Sequence, residues 1–237
     1  MRIKILLCLS LFFINQIQAQ SLNDNFNGTT VDTSLWSVIL PFSQSQVTES
    51  GGFLTTVGRG ILATTAGFSS PYSISGAVTL NNSLEHFQVI LRSDLSYDTA
   101  SGISQYDELD GIHVSFSADG GQISIQQFDG SNPNPPILAE ENYNFTVGQL
   151  YDFSITDTGS EVSLAIDGQN LISSDTIFGT GNQIAFYSRE FSGTSSSLDY
   201  VSIAPVPEPS SFALVAIGIL LASLSKSKIQ TVRKMSL

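Results

Sequence analysis

Cysteine is nearly absent from this 237-residue chain: the single one, Cys8, lies in an apolar N-terminal run. The remainder therefore has no disulfide, no thiolate nucleophile and no cysteine metal site. Histidine is almost as scarce. His86 and His113 are the only two, which excludes a histidine-rich metal site. Cations are few, and most sit at the ends. Of nine Lys and Arg, only Arg59, Arg92 and Arg189 lie between residues 20 and 205, where they meet twenty carboxylates for a net charge of −17. Such a surface repels nucleic acid and anionic lipid headgroups, so nucleic acid is excluded as a partner. Neutral partners, divalent cations and anions bridged by such cations remain. Long 3.6-residue periodicity is missing as well, and no nucleophile elbow, phosphate loop or paired-histidine motif occurs.

What is present divides into three parts. Arg2 and Lys4 precede an apolar run from Ile5 to Ile14, and Ile17-Gln18-Ala19 offers a small residue for cleavage. Residues 1–19 therefore read as a secretory signal peptide, since the run is too short to span a bilayer comfortably. At the other end, Val206-Pro207-Glu208-Pro209 leads into an apolar stretch from Phe212 to Leu224, interrupted only by Gly218 and Ser223. As a helix, residues 210–225 would reach roughly 24 Å, slightly short of a hydrocarbon core. Lys226, Lys228, Arg233 and Lys234 follow, and the positive-inside tendency keeps them cytoplasmic with the preceding domain outside.

This order of Pro-Glu-Pro, spanning segment and basic end resembles the PEP-CTERM sorting signal of Gram-negative bacteria. The resemblance covers about residues 205–237. It implies an exosortase of the inner membrane as partner for the tail, with Val206, Pro207, Glu208 and Pro209 as the sorting motif. It also implies a membrane-anchored precursor delivered to the cell surface, outer envelope or extracellular matrix, often with exopolysaccharide.

Between the ends, periodicity is two almost throughout. Ile112, Val114 and Phe116 alternate with His113, Ser115 and Ser117, Asp119-Gly120-Gly121 turns, and Ile123 and Ile125 resume. Tyr151, Phe153 and Ile155 pair in the same way with Val162, Leu164 and Ile166 across Asp157 to Ser160. These are hairpin signals. Further strands are expected at 46–49, 53–56, 60–65, 72–80, 87–92, 183–188 and 198–203. About a dozen short strands imply an all-β antiparallel sandwich over residues 20–205, in one domain of roughly 185 residues that can bury a core without disulfides.

The layout resembles the concanavalin A-like lectin/glucanase jelly roll, laminin-G-like modules included. The residues that carry this are Asn25-Phe26-Asn27-Gly28, Asp32-x-x-x-Trp36 and the closing Leu198-Asp199-Tyr200-Val201-Ser202-Ile203. The resemblance implies that the first and last strands lie side by side.

The longest interruption of the β pattern, residues 93–110, holds Asp94, Asp98, Asp107, Glu108 and Asp110. Oxygen ligands on one long loop suit Ca²⁺, so these five are candidate metal ligands, although no D-x-D-x-D-G spacing occurs. No other cofactor is expected. Glu108-Leu109-Asp110-Gly111-Ile112-His113 resembles the E-x-D-x-x-E motif of laminarinase-type glycoside hydrolases, with His113 where the last glutamate would stand. Alternation puts His113 on the opposite face from Asp110. A chance match is the better reading, and no enzyme is expected. For sugar stacking, Tyr97 and Tyr106 in the loop and Tyr143 after a proline-stiffened second loop, 129–144, are the candidates, while Trp36 reads as core or rim.

The expected function is an exported, non-catalytic carbohydrate-binding module that meets exopolysaccharide or a surface glycan. Two alternatives stay open: a structural matrix or adhesion protein without a specific glycan ligand, and a glycoside hydrolase using Glu108 and Asp110.

Overall fold

A computed structural model of the protein describes residues 20–41, 43–95, 109–128, 136–175, 179, 181–189 and 194–206. The chain divides into two units, Met1–Pro205 and Val206–Leu237. The signal peptide, Pro207 to Pro209 and the spanning segment 210–225 all fall outside the described residues. Among those described, no helix is long and apolar enough to cross a membrane.

Alternation of apolar and hydroxyl side chains makes every regular element among the described residues a strand. In chain order these are β1 (Leu22–Asp24), β2 (Trp36–Ile39), β3 (Gln46–Ser50), β4 (Phe53–Val57), β5 (Ile61–Thr64), β6 (Tyr72–Leu80), β7 (His86–Ser93) and β8 (Gly111–Ser117). They continue with β9 (Gln122–Phe128), β10 (Ile137–Asn142), β11 (Leu150–Asp157), β12 (Glu161–Ile166), β13 (Gln169–Asp175), β14 (Gln183–Ser188) and β15 (Ser195–Pro205). The first sheet has the order β13-β12-β11-β6-β15-β4-β3, and the second β10-β9-β8-β7-β14-β5-β2. Every pairing is antiparallel, as expected for the sandwich.

The first and last strands do lie side by side. β15 pairs with β6 along one edge, and its other edge takes β4 and then β1, with Leu22 opposite Ile203. A bulge between Leu198 and Tyr200 lets β15 change parity. Leu198 faces the core before it, and Val201 and Ile203 face the core after it.

The core is the apolar parity of both sheets. From the first come Ile74, Val78, Phe153, Ile155, Leu164 and Ile203, and from the second Phe87, Val89, Ile112, Val114, Phe116 and Phe186. Phe87 sits at its centre, with ring centroids 5.7 Å from Phe116, 6.4 Å from Phe153 and 6.5 Å from Phe186. Each such buried ring contributes about 1.5–3 kcal/mol. Gly76, opposite Phe153 in the register, leaves space for that ring; a Cβ there would stand 2.6 Å from Phe153 Cζ. Trp36 is a core residue. Its ring meets Phe186 edge-on at 5.8 Å, and its Nε1–H donates to Asp24 Oδ2 at 2.7 Å.

Candidate functional site: the outer face of the second sheet

The parity that points Ile112, Val114 and Phe116 inward points His113, Ser115 and Ser117 to the outer face of the second sheet. Register then assembles two rows across that face. One runs Ile39, Ile61, Tyr187, Gln88, Ser115, Ser124 and Glu140; the other runs Ser37, Ala63, Ala185, Ile90, His113, Gln126 and Ile137. The face is thus divided. Toward β2 it is apolar, with Ile61, Ala63, Ile90, Ala185 and Tyr187 buried around Leu109. Toward β10 it is polar and mostly uncharged, with Gln122, Ser124 and Gln126 on β9.

His113 marks the seam. It is fully buried, Nε2 lies 2.6 Å from Leu109 O, and Nδ1 lies 3.0 Å from the Gln88 amide. Burial pushes its pKa down to about 3; the bond to Leu109 O opposes the shift, and the charge of Arg189 assists it. The ring is therefore neutral at pH 7 and carries one N–H. Leu109 O can only accept, so that proton sits on Nε2, and Nδ1 is an acceptor. The Gln88 amide is 3.0 Å from Ser115 Oγ as well. It serves both neighbours when its NH₂ faces Nδ1 and its oxygen takes the serine proton. Phe128 covers the ring at 4.0 Å. With both nitrogens engaged, His113 is a structural member of the face.

Three of the sequence candidates, Asp94, Asp110 and Tyr143, fall among the described residues. Asp98, Asp107, Glu108, Tyr97 and Tyr106 lie outside the described residues. Asp94 is exposed just beyond β7, where the Leu95 N–H donates to Ser93 Oγ at 2.9 Å. Asp110 is half-buried just before β8. Among the described residues, no group of three or more His, Cys, Asp or Glu is placed to hold a metal ion. Tyr143 follows β10 at the Gln122 end of β9, whereas Gly111 pairs with Phe128 at the other end. A seven-residue strand separates the two ends by roughly 20 Å, so Tyr143 does not share a rim with Asp94 and Asp110. Its ring packs on Phe145 (4.8 Å) and Tyr151 (6.0 Å). The second loop is also shorter than expected, because residues 137–142 form edge strand β10.

Sequence reasoning missed what braces the Asp94 end of the sandwich. Arg92, one residue before the end of β7 in one sheet, grips Asp157, ending β11 in the other. Arg92 Nε donates to Asp157 Oδ2 at 2.8 Å and Nη2 to Oδ1. Gly159 N–H adds a third bond to the carboxylate at 2.7 Å. Burial raises the carboxyl's pKa, but the Arg92 hydrogen bond, the Gly159 N–H and the guanidinium charge outweigh it and hold the pKa low. The Tyr72 hydroxyl is buried beside this pair; desolvation and the carboxylate keep it protonated. Arg92 and Asp157 are 65 residues apart, and only an isolated cation within a strand pattern hinted at their pairing. At the opposite end, buried Glu85 accepts from Ser188 Oγ, which neighbours Ser196 Oγ at 3.5 Å.

No protein-family model matches the chain, and no curated protein matches it. Solved structures do. The chain is similar to a carbohydrate-binding module from Bacillus subtilis at 12% identity and TM-score 0.51, covering 77% of this chain and 94% of that one. It is similar to a β-glucanase from Bacillus licheniformis at 12% identity and TM-score 0.57, covering 78% and 98%. The carbohydrate-recognition domain of Emp47p matches at 13% identity and TM-score 0.58, covering 78% and 95%. At such identities the likeness is one of fold: the domain is a concanavalin A-like jelly roll, an architecture common to binding modules, glucanases and lectins.

Proposed function

We propose that this domain is a non-catalytic carbohydrate-binding module, exported and sorted to the cell surface or exopolysaccharide by an exosortase that reads its Val206 to Pro209 tail. The observation that carries the reading is the neutral hydrogen-bonding half of the outer face, where Gln122 and Gln126 are partly exposed beside Ser115 and Ser124. Amide and hydroxyl groups that donate and accept without charge complement sugar hydroxyls. The domain's net negative charge favours a neutral glycan, or an anionic one bridged by Ca²⁺. The Bacillus subtilis module and the Emp47p domain, both named for carbohydrate, lend support by analogy of fold.

Binding is favoured over hydrolysis by the composition of this face. Among the described strand residues that line it, Glu140 is the one carboxylate, and it accepts from Gln122 Nε2 at 3.0 Å. Retaining hydrolysis needs two carboxyls about 5–5.5 Å apart.

The test is a polysaccharide-binding screen of residues 20–205, with Ca²⁺ and with chelator. Binding weakened about tenfold by Gln126→Ala, with no cleavage of the bound polymer, is the expected result. Absence of binding under both conditions overturns the reading. Cleavage abolished by Glu108→Gln would replace it with hydrolysis, and loss of binding on chelation would assign Ca²⁺ to the 94–110 loop.

A further inference from the structure

We propose that the free edge of β2 docks on the same edge of a second copy of this chain, joining two seven-stranded sheets into one continuous sheet. The inference does not depend on the carbohydrate reading.

β2 ends the second sheet, with β5 its sole partner there among the described residues. The Thr65 N–H donates to Leu35 O, and the register continues Trp36–Thr64, Ser37–Ala63, Val38–Leu62 and Ile39–Ile61. Hydrogen-bonded and non-hydrogen-bonded pairs alternate in an antiparallel ladder. Ser37 and Ile39 therefore bond to β5, while the N–H and C=O of Val38 point away from it. The Trp36 N–H, on the same outward parity, is taken by Asp32 O at 2.9 Å.

Side chains on this edge are unusual as well. Val38 and Leu40 have the inward parity of Trp36, yet they remain 37% and 52% exposed, with no further strand beside them among the described residues. Native edges are normally blunted by charge. β10 carries Glu140 and Glu141, β13 carries Asp175, and β3 carries Glu49, which binds the Gly28 N–H at 2.7 Å. From Thr33 to Thr48 there is no charged residue at all. In a domain with a net charge of −17, copies repel across most surfaces. This uncharged edge is where two can approach, which is why a second copy is the occupant.

A two-fold axis at Val38 makes the contact isologous. Val38 exchanges both backbone hydrogen bonds with Val38 of the other copy, and the Leu40 N–H faces the Trp36 carbonyl. Pro41 then ends the ladder.

Sedimentation velocity on residues 20–205, which hold all fifteen strands, tests this once circular dichroism confirms the β fold. A concentration-dependent dimer that tightens with added salt is expected, since salt screens the repulsion. Val38→Pro removes the outward N–H, so it should weaken the dimer at least about tenfold while circular dichroism still reports the β fold. Val38→Cys supplies the domain's only thiol, and across the axis its Cα lies about 5.5 Å from its mate, within disulfide range. It should oxidise to a covalent dimer, whereas Ser163→Cys on β12 should not. A monomer at every concentration, a dimer that survives Val38→Pro, or equal crosslinking from Ser163→Cys overturns the proposal.

Discussion

His113 makes the stability of this domain depend on pH in a way that can be worked out in advance. In the folded protein its pKa is about 3; in the unfolded chain it reverts to about 6.5. A depressed folded value means that the unfolded state binds the proton first. The stabilisation is therefore complete above pH 6.5 and is lost as pH falls toward 3. Between pH 7 and pH 5 the folded ring stays neutral, so the change comes from protonation of the unfolded chain alone. It amounts to about 1.9 kcal/mol of lost stability. Urea denaturation of the wild type and His113→Gln at both pH values isolates this contribution, because all other titrating groups cancel in the difference. The wild type should lose about 2 kcal/mol more than the variant between pH 7 and pH 5. A difference below about 0.5 kcal/mol, or an imidazole resonance of His113 titrating near 6.5 in the folded protein, refutes the reasoning.

Two further perturbations test the frame around the face. Asp157→Ala strands a largely buried guanidinium and should cost about 3–5 kcal/mol, whereas Arg92→Leu combined with Asp157→Leu should recover much of that loss; a double-mutant cycle by guanidinium denaturation reads the coupling. Because the Asp157 carboxyl is held low, its contribution is present above about pH 3.9 and is lost as pH falls further, so the Asp157→Ala penalty should shrink in acid. Trp36→Phe keeps the ring in the core but removes the donor to Asp24 Oδ2, with an expected loss of about 1–3 kcal/mol in the urea midpoint analysis.

Sequence reading succeeded where one face of a strand is buried and the other is not. β11 and β12 alternate cleanly, and β6 has the expected bounds, Tyr72–Leu80. It failed at the margins of the sheets. β10 (Ile137–Asn142) and β13 (Gln169–Asp175) are edge strands whose side chains are mostly exposed, so neither shows the two-residue rhythm. Three prolines just before β10 strengthened the impression of a loop. The bulge at Asp199 hid the parity change that lets both Leu198 and Val201 reach the core. For the candidate site, alternation put His113 on the outer face correctly. That it would be buried there, bound to Gln88 from a neighbouring strand and to Leu109 O four residues back, depended on sheet register and on what covers the face. That Tyr143 and Asp110 stand at opposite ends of β9 was not legible either, because local sequence does not say which end of a strand a loop serves.

The position of β15 has a consequence for how the chain comes to be folded at all. It is the penultimate inner strand of a meandering sheet in space but the last strand in time, and it joins β6, β4 and β1 at once. Asn23 on β1 waits for Ser202, 179 residues downstream, before its side chain finds a partner. No N-terminal fragment can close the first sheet, so a chain emerging from its N-terminus during synthesis stays incompletely folded until residues near Pro205 have been made. Ordering of the domain is thereby coupled to completion of the chain, and pairings this distant make folding slow relative to a helical protein of equal length. A cut beyond Pro205 leaves every strand in place, while one a few residues earlier begins to unpair the strand that holds the first sheet together.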